Sequence, residues 1–239
     1  MRDLVSSQHL PVELGPADAA RIARLERRCF IPPLQASEEQ IRQRLALGHT
    51  MLGIAAGADL VGMLAFRFGT FDPADFASFP KTFDELCLQP SRRGNTIFLY
   101  NLEVEPTRRG TLCAKRLAYF AFKMAFLSRC TFGVANCRVA AYRGADPRFS
   151  QERTKPKARL RRAIDEHLAG GPLPAQEVFR DDPTLALYHR LTECRFQWVI
   201  PDFAPSDHAT RGLRVIAYGR FDRAARQRFR ALSWVNRER

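Results

Sequence analysis

The stretch NTIFLYNLEVEPTRRGTLCAKRLAYFAFKMAF, from Asn95 to Phe126, joins a strand, an arginine-glycine turn and a helix in direct succession. Thr96 to Val104 alternates as a strand, with Ile97, Leu99, Asn101 and Glu103 on one face and Phe98, Tyr100, Leu102 and Val104 on the other. Apolar groups on both faces predict a central strand. From Leu112 to about Ser128 the period becomes helical, with Leu117, Phe120, Ala121, Met124 and Leu127 on the apolar side. The helix opens beside Arg108, Arg109 and Lys115, so its unpaired N–H groups and partial positive charge form an end able to receive phosphate. Phe132 to Val139 reads as the next strand, making strand, turn, helix and strand a crossover unit.

Toward the N-terminus, Leu10 to Leu14 alternates like a short strand. Pro16 then opens a helix with Ala20, Ile22, Ala23, Leu25 and Phe30 inward, ended by Pro32 and Pro33. Ser37, followed by Glu39 and Gln40, starts a second helix through Ile41, Leu45 and Leu47 up to Gly48. Met51 to Ala56 and Leu60 to Phe68 form a hairpin around Gly57, Ala58 and Asp59. Gly69 to Asn95 lacks a sustained period and reads as a long loop placed to cover a site, with a helical turn at Thr82 to Leu86.

Toward the C-terminus, a polar, basic insertion follows Ala140, with a helix expected over Pro156 to Leu168 and ending at Gly170 and Gly171. Asp182 and Pro183 start another helix through Leu185, Leu187, Tyr188 and Leu191. Strands at Phe196 to Ile200 and Leu213 to Tyr218 follow, then an arginine-rich helix from Asp222 to Val235 with Ala225, Phe229 and Leu232 inward. The chain is read as one domain over 1–239, with an insertion at about 140–180 and a basic C-terminal helix at about 222–236.

With 239 residues and 46% hydrophobic content the chain can bury a substantial core. It contains no run of 18 apolar residues, and Met1 to Gly15 lacks the basic-then-apolar order of a secretion signal, so a cytoplasmic location is expected. The six cysteines (Cys29, Cys87, Cys113, Cys130, Cys137 and Cys194) include no C-x-x-C pair and read as reduced, mostly buried thiols. No metal cluster and no serine-histidine-acid set emerges, which argues against hydrolases. The 38 basic residues against 25 acidic leave +13, which fits either an association with polyanions or acidic proteins or a solvated arginine-rich surface. Arg138 to Arg162 and Arg220 to Arg239 concentrate the excess.

The order of elements resembles the GNAT superfamily of acyl-CoA-dependent N-acyltransferases. ERRCFIPPLQASEEQIRQRL (Glu26 to Leu45), NTIFLYNLEVEPTRRGTLCAKRL (Asn95 to Leu117) and DDPTLALYHRLTECRFQWVIPDF (Asp181 to Phe203) carry the likeness. The last is similar to a bacterial subgroup with a long insertion before its Asp-Pro-Thr-Leu helix, in which an arginine and a tyrosine are placed like Arg138 and Tyr142. The resemblance implies an α/β fold of the α+β kind: a mixed, mostly antiparallel central sheet flanked by helices and splayed around strand 96–104. It implies transfer of an acetyl or longer acyl group from acyl-CoA (acetyl-CoA) to a primary amine by direct attack, without a metal.

The family's pyrophosphate pattern, laid on this chain, begins at Arg109. Arg108, Arg109, Gly110, Thr111, Leu112, Cys113, Ala114 and Lys115 would form the donor turn, with Ala114 at the final small position and Leu112 where the family has its first glycine. The resemblance places the thioester beside the N–H of Val104, gives Tyr188 the proton for the departing thiolate, and offers Glu103 as base. Glu105, His189 and His208 are lesser candidates. Each has an ordinary reading beside it, a packed tyrosine for Tyr188 and a solvated or paired carboxylate for Glu103. The altered glycine pattern and the positive charge leave open a donor carried on an acidic acyl carrier protein. A non-catalytic module binding nucleic acid or an acidic protein is the remaining alternative.

Overall fold

A computed structural model describes residues 10–142 and 157–231. Strands β1 (Val12–Leu14), β2 (Thr50–Ala56), β3 (Asp59–Gly69), β4 (Thr96–Val104), β5 (Phe132–Arg138), β6 (Arg195–Ile200) and β7 (Arg214–Arg220) form one sheet of order β1-β2-β3-β4-β5-β7-β6. Every neighbouring pair is antiparallel except β4 and β5, which are parallel. The helices are α1 (Ala19–Cys29), α2 (Glu38–Ala46), α3 (Phe83–Leu88), α4 (Cys113–Leu127), α5 (Ala158–Leu168), α6 (Gln176–Phe179), α7 (Pro183–Thr192) and α8 (Arg223–Ala231). Helix α4 makes the crossover from β4 to β5, as parallel neighbours require.

Each sheet face buries its own core. Ile22 and Leu25 of α1, Ile41 of α2 and Leu86 of α3 pack with Met63, Phe98 and Tyr100 on one side. Leu117, Ala121 and Phe122 of α4, Leu160 and Ile164 of α5, Phe179 and Leu185 pack with Ile97, Leu99 and Val215 on the other. Local signals set the helix starts. Ser37 accepts from the Gln40 N–H at 3.1 Å while the Ser37 N–H donates to Gln40 Oε1 at 2.8 Å, a reciprocal cap. The β2–β3 hairpin turns at Gly57, where φ is 64°.

Asp182 caps α7 by accepting from the N–H groups of Thr184 (2.8 Å) and Leu185 (3.1 Å), and its other oxygen accepts from the Ala141 N–H at 2.7 Å. It therefore ties the segment after β5 to the start of α7. Asp182→Ala is expected to lower the free energy of unfolding by about 2 kcal/mol, from a lost cap and a stranded buried N–H. Urea titration would measure it.

The sheet departs from the sequence reading at one consequential place. Ala65 pairs with Asn101 and Phe66 with Leu99, so Tyr100 is an extra residue in β4. Strict alternation predicted Asn101 and Glu103 on the face of Ile97 and Leu99. The bulge reverses this: Asn101 reaches α1, where it bonds Glu26, and Leu102 and Val104 pack on the α4 side. The pairing of β4 with β5 runs only from Thr96–Phe132 to Leu99–Ala135, and beyond it the two strands part.

Smaller differences follow from packing. Leu127, expected inward, is 74% exposed, because the buried stripe of α4 runs through Leu117, Ala118, Ala121, Phe122 and Ala125. The insertion packs through Leu160, Ile164, Val178 and Phe179 into the α4-side core over its described part, residues 157–179. The short α6 within it had no sequence signal. Arg143, Arg148, Arg153, Lys155 and Leu232 lie outside the described residues.

Candidate active site

Where β4 and β5 part, a cavity opens on each face of the sheet. On the α4 side a narrow apolar cavity of about 60 Å³ lies among Leu99, Phe122, Ala135, Leu191 and Phe229. On the α1–α2 side a larger and more polar cavity of about 340 Å³ is lined by Glu26, Arg44, Tyr100, Asn101, Asn136 and Arg138, among others. Leu102 and Tyr188 line both. The parting of the strands thus brings the two cavities to the same pair of side chains.

Glu26 is 2% exposed, yet it lines the larger cavity. Its Oε1 accepts from Asn101 Nδ2 at 2.9 Å and its Oε2 from the Ala36 N–H at 3.3 Å. Burial raises its pKa to about 7, against the lowering effects of the Ala36 bond, the Arg44 charge and Asn101. Such a carboxylate exchanges a proton near neutral pH.

Glu103 is 3% exposed and is not among the residues lining that cavity. Both its carboxylate oxygens are buried without a hydrogen bond among the described residues. Burial, and then the neighbouring Glu26 charge, push its pKa well above the ordinary carboxylate range, eased only partly by Cys29 and Arg28. It sits outside the cavity lining, where burial favours its protonated form.

Tyr188 of α7 is 8% exposed, and burial raises its pKa well above the ordinary tyrosine value, which keeps the hydroxyl protonated. That hydroxyl makes no hydrogen bond among the described residues. The lesser candidates are placed otherwise. Glu105 pairs with Arg28 at 3.2 Å. His189 bonds the Cys194 carbonyl through Nδ1 at 3.2 Å, and His208 is exposed.

Arg138 and Arg214, which line the larger cavity, share the buried Asp207. Arg138 binds it through Nε at 2.7 Å and an Nη at 3.0 Å, and Arg214 through an Nη at 2.9 Å. Burial alone would raise Asp207, but the Arg138 bond and the charges of Arg214 and Arg138 bring its pKa down to about 2. Tyr142 is buried and bonds Asp165 of α5 at 2.5 Å, outside the cavity lining.

The turn after β4 is exposed. Pro106–Arg108 form a single 3-10 turn, and Arg109 Nε donates to the Val104 carbonyl at 3.3 Å. Gly110 takes φ 84°, with open space where a side chain would lie. Leu112 caps α4 in right-handed helical conformation (φ −73°, ψ −3°), so the chain path here requires no glycine at that position. The Thr111 hydroxyl accepts the Cys113 N–H at 3.3 Å and donates to the Arg108 carbonyl at 2.7 Å. Ala114 and Lys115 complete the first turn of α4, whose buried edge begins at Cys113. Val104 ends β4 opposite Gly62.

Sequence reasoning missed Glu26, Arg44 and Asn101. Helical spacing contained a signal for two of them: Glu26 lies one turn from Ile22, and Arg44 three residues from Ile41, both on buried stripes. Asn101 depended on the bulge.

The strand order, the crossover through α4 and the parting of β4 from β5 together define a GNAT fold. Comparison with solved structures agrees. The GNAT-like decarboxylase GphF, in complex with isobutyryl-CoA, superposes with a TM-score of 0.66 at 22% identity, over 90% of this chain and 100% of that one. The loading GNATL domain of CurA from Lyngbya majuscula gives 0.60 at 17% identity, over 89% and 97%. An aminoglycoside 6'-N-acetyltransferase complexed with coenzyme A gives 0.51 at 13%, over 88% and 96%. No family model and no curated protein matches the chain.

Proposed function

We propose that the chain is an acyltransferase that accepts an acyl thioester, acyl-CoA in the first instance, from the α4–α7 side and passes the acyl group to an amine in the larger cavity. The observation that carries this reading is that Leu102 and Tyr188 stand in the walls of both cavities, where β4 has parted from β5. A thioester there lies against unpaired strand edge, and an amine approaches from Glu26. The amine nitrogen forms the new bond to the carbonyl carbon and gives its proton to Glu26. The carbon–sulfur bond then breaks, and Tyr188 returns a proton to the thiolate. Backbone N–H groups of β4 toward Val104 stabilise the oxyanion, and the turn from Arg108 to Lys115 receives the pyrophosphate.

Calorimetric titration with acetyl-CoA tests the donor assignment, and no heat and no thermal stabilisation at millimolar ligand would exclude it. Assays should follow transfer with acetyl-CoA and release of carbon dioxide with malonyl-CoA, since GphF is described as a decarboxylase. Tyr188→Phe is expected to lower kcat by about 10²-fold while leaving donor affinity within threefold. An unchanged kcat would remove Tyr188 from the proton path.

A carrier-protein donor is favoured by one specific feature: Arg159, Arg161 and Arg162 of α5 and Arg223 and Arg226 of α8 are exposed. An acidic carrier would meet them electrostatically, and its transfer rate would fall steeply with salt while transfer from acyl-CoA would not.

A further inference from the structure

Arg44 is 7% exposed, lines the larger cavity, and its guanidinium makes no hydrogen bond or ion pair among the described residues. Its carbon lies 5.6 Å from the Phe83 ring centroid and 5.9 Å from that of Tyr100, so two aromatic rings flank it without using its N–H groups. The other cavity cations are already engaged, since Arg138 and Arg214 both bind Asp207. The oxygens of Glu26 are taken by Asn101 and Ala36, and Asp84 stands exposed at the rim. Asn136 presents a second buried group to the same space, its Oδ1 lacking a hydrogen bond among the described residues. Glu26 feels the Arg44 charge without bonding it, so the buried fork is left open, which is costly unless an anion occupies the cavity beside it.

We propose that the larger cavity recognises a carboxylate of the substrate through Arg44. Carboxylate matches the fork in two parallel bonds, and the space beside Asn101 and Asn136 is polar enough to hold it. The proposal deepens the acyltransferase reading and rests on it for the identity of the bound molecule. The carboxylate has two sources: an α-amino acid acceptor whose amine faces Glu26, or the free carboxylate of a dicarboxylic acyl thioester.

Matched pairs separate them. Kd is measured for malonyl-CoA against acetyl-CoA, and kcat/KM for transfer from acetyl-CoA to proteinogenic α-amino acids against their α-carboxamides. The carboxylated member of one pair is expected to be favoured by about 10- to 100-fold, and Arg44→Gln to reduce that preference to within twofold. The pair that responds identifies the source. Arg44→Lys, which keeps charge without the fork, retains part of the preference and serves if Arg44→Gln does not fold. No preference in either pair, or a preference that survives in the folded variants, overturns the proposal. If neither CoA ester binds, the donor reading fails by itself. The carboxylate site is then read from malonate, which is expected to raise the Tm of the wild-type chain and not that of Arg44→Gln, and an equal response would overturn it.

Discussion

Glu26→Gln is expected to lower kcat/KM by about 10²- to 10⁴-fold, the range for removing a positioned general base. The pH profile is as diagnostic as the size of the loss. Burial holds the Glu26 pKa at about 7, and only the ionised form accepts the amine proton. Wild-type activity should therefore rise as pH climbs through about 7, and this inflection should vanish from the residual activity of the glutamine variant. Glu103→Gln is the contrasting substitution. Glu103 is away from the cavity lining and burial favours its neutral form, so a neutral isostere should leave kcat/KM within about tenfold. A larger loss for Glu103→Gln than for Glu26→Gln, measured by steady-state kinetics, would exchange their roles.

Asp207→Ala is expected to destabilise the fold by about 3–5 kcal/mol, the cost of leaving a buried ionic group without its partner. Two guanidiniums depend on this carboxylate, which is fully buried and also accepts from the Thr210 hydroxyl at 2.7 Å. Acid acts through the same group. Its pKa is depressed in the folded state, from 3.8 to about 2, so its contribution is complete above about pH 4 and disappears as pH falls through about 2. Thermal unfolding of the variant at neutral pH measures the first effect. A loss under 1 kcal/mol would mean that Arg138 and Arg214 find other partners or water.

The fold was legible because its strongest signals are local. Thr96–Val104 stands as read, Ser37 and Asp182 cap the helices they appeared to cap, and Gly57 turns the hairpin. Faces and cavities depend on pairing between distant segments, and that is where the reading diverged. One extra residue at Tyr100, visible only against β3, moved Asn101 and Glu103 to the opposite face. Glu103 consequently belongs with α1, and a carboxylate on α1 itself reaches the cavity. The cavity arginines and Asp207 come from α2, β5, β7 and the connection before β7, so no contiguous motif announces them. The turn at Arg108–Lys115 is legible in the sequence, while the helical conformation that lets Leu112 stand there is a property of the fold.

On the proposed reading an acyl thioester reaches the point where β4 leaves β5. A crystal structure with a non-transferable thioether analogue of acetyl-CoA tests it directly. The sulfur is expected in contact with Leu102 and Tyr188, the pantetheine arm between α4 and α7, and the pyrophosphate at the turn from Arg108 to Lys115. An analogue seated elsewhere on the chain, with both cavities empty, would contradict it.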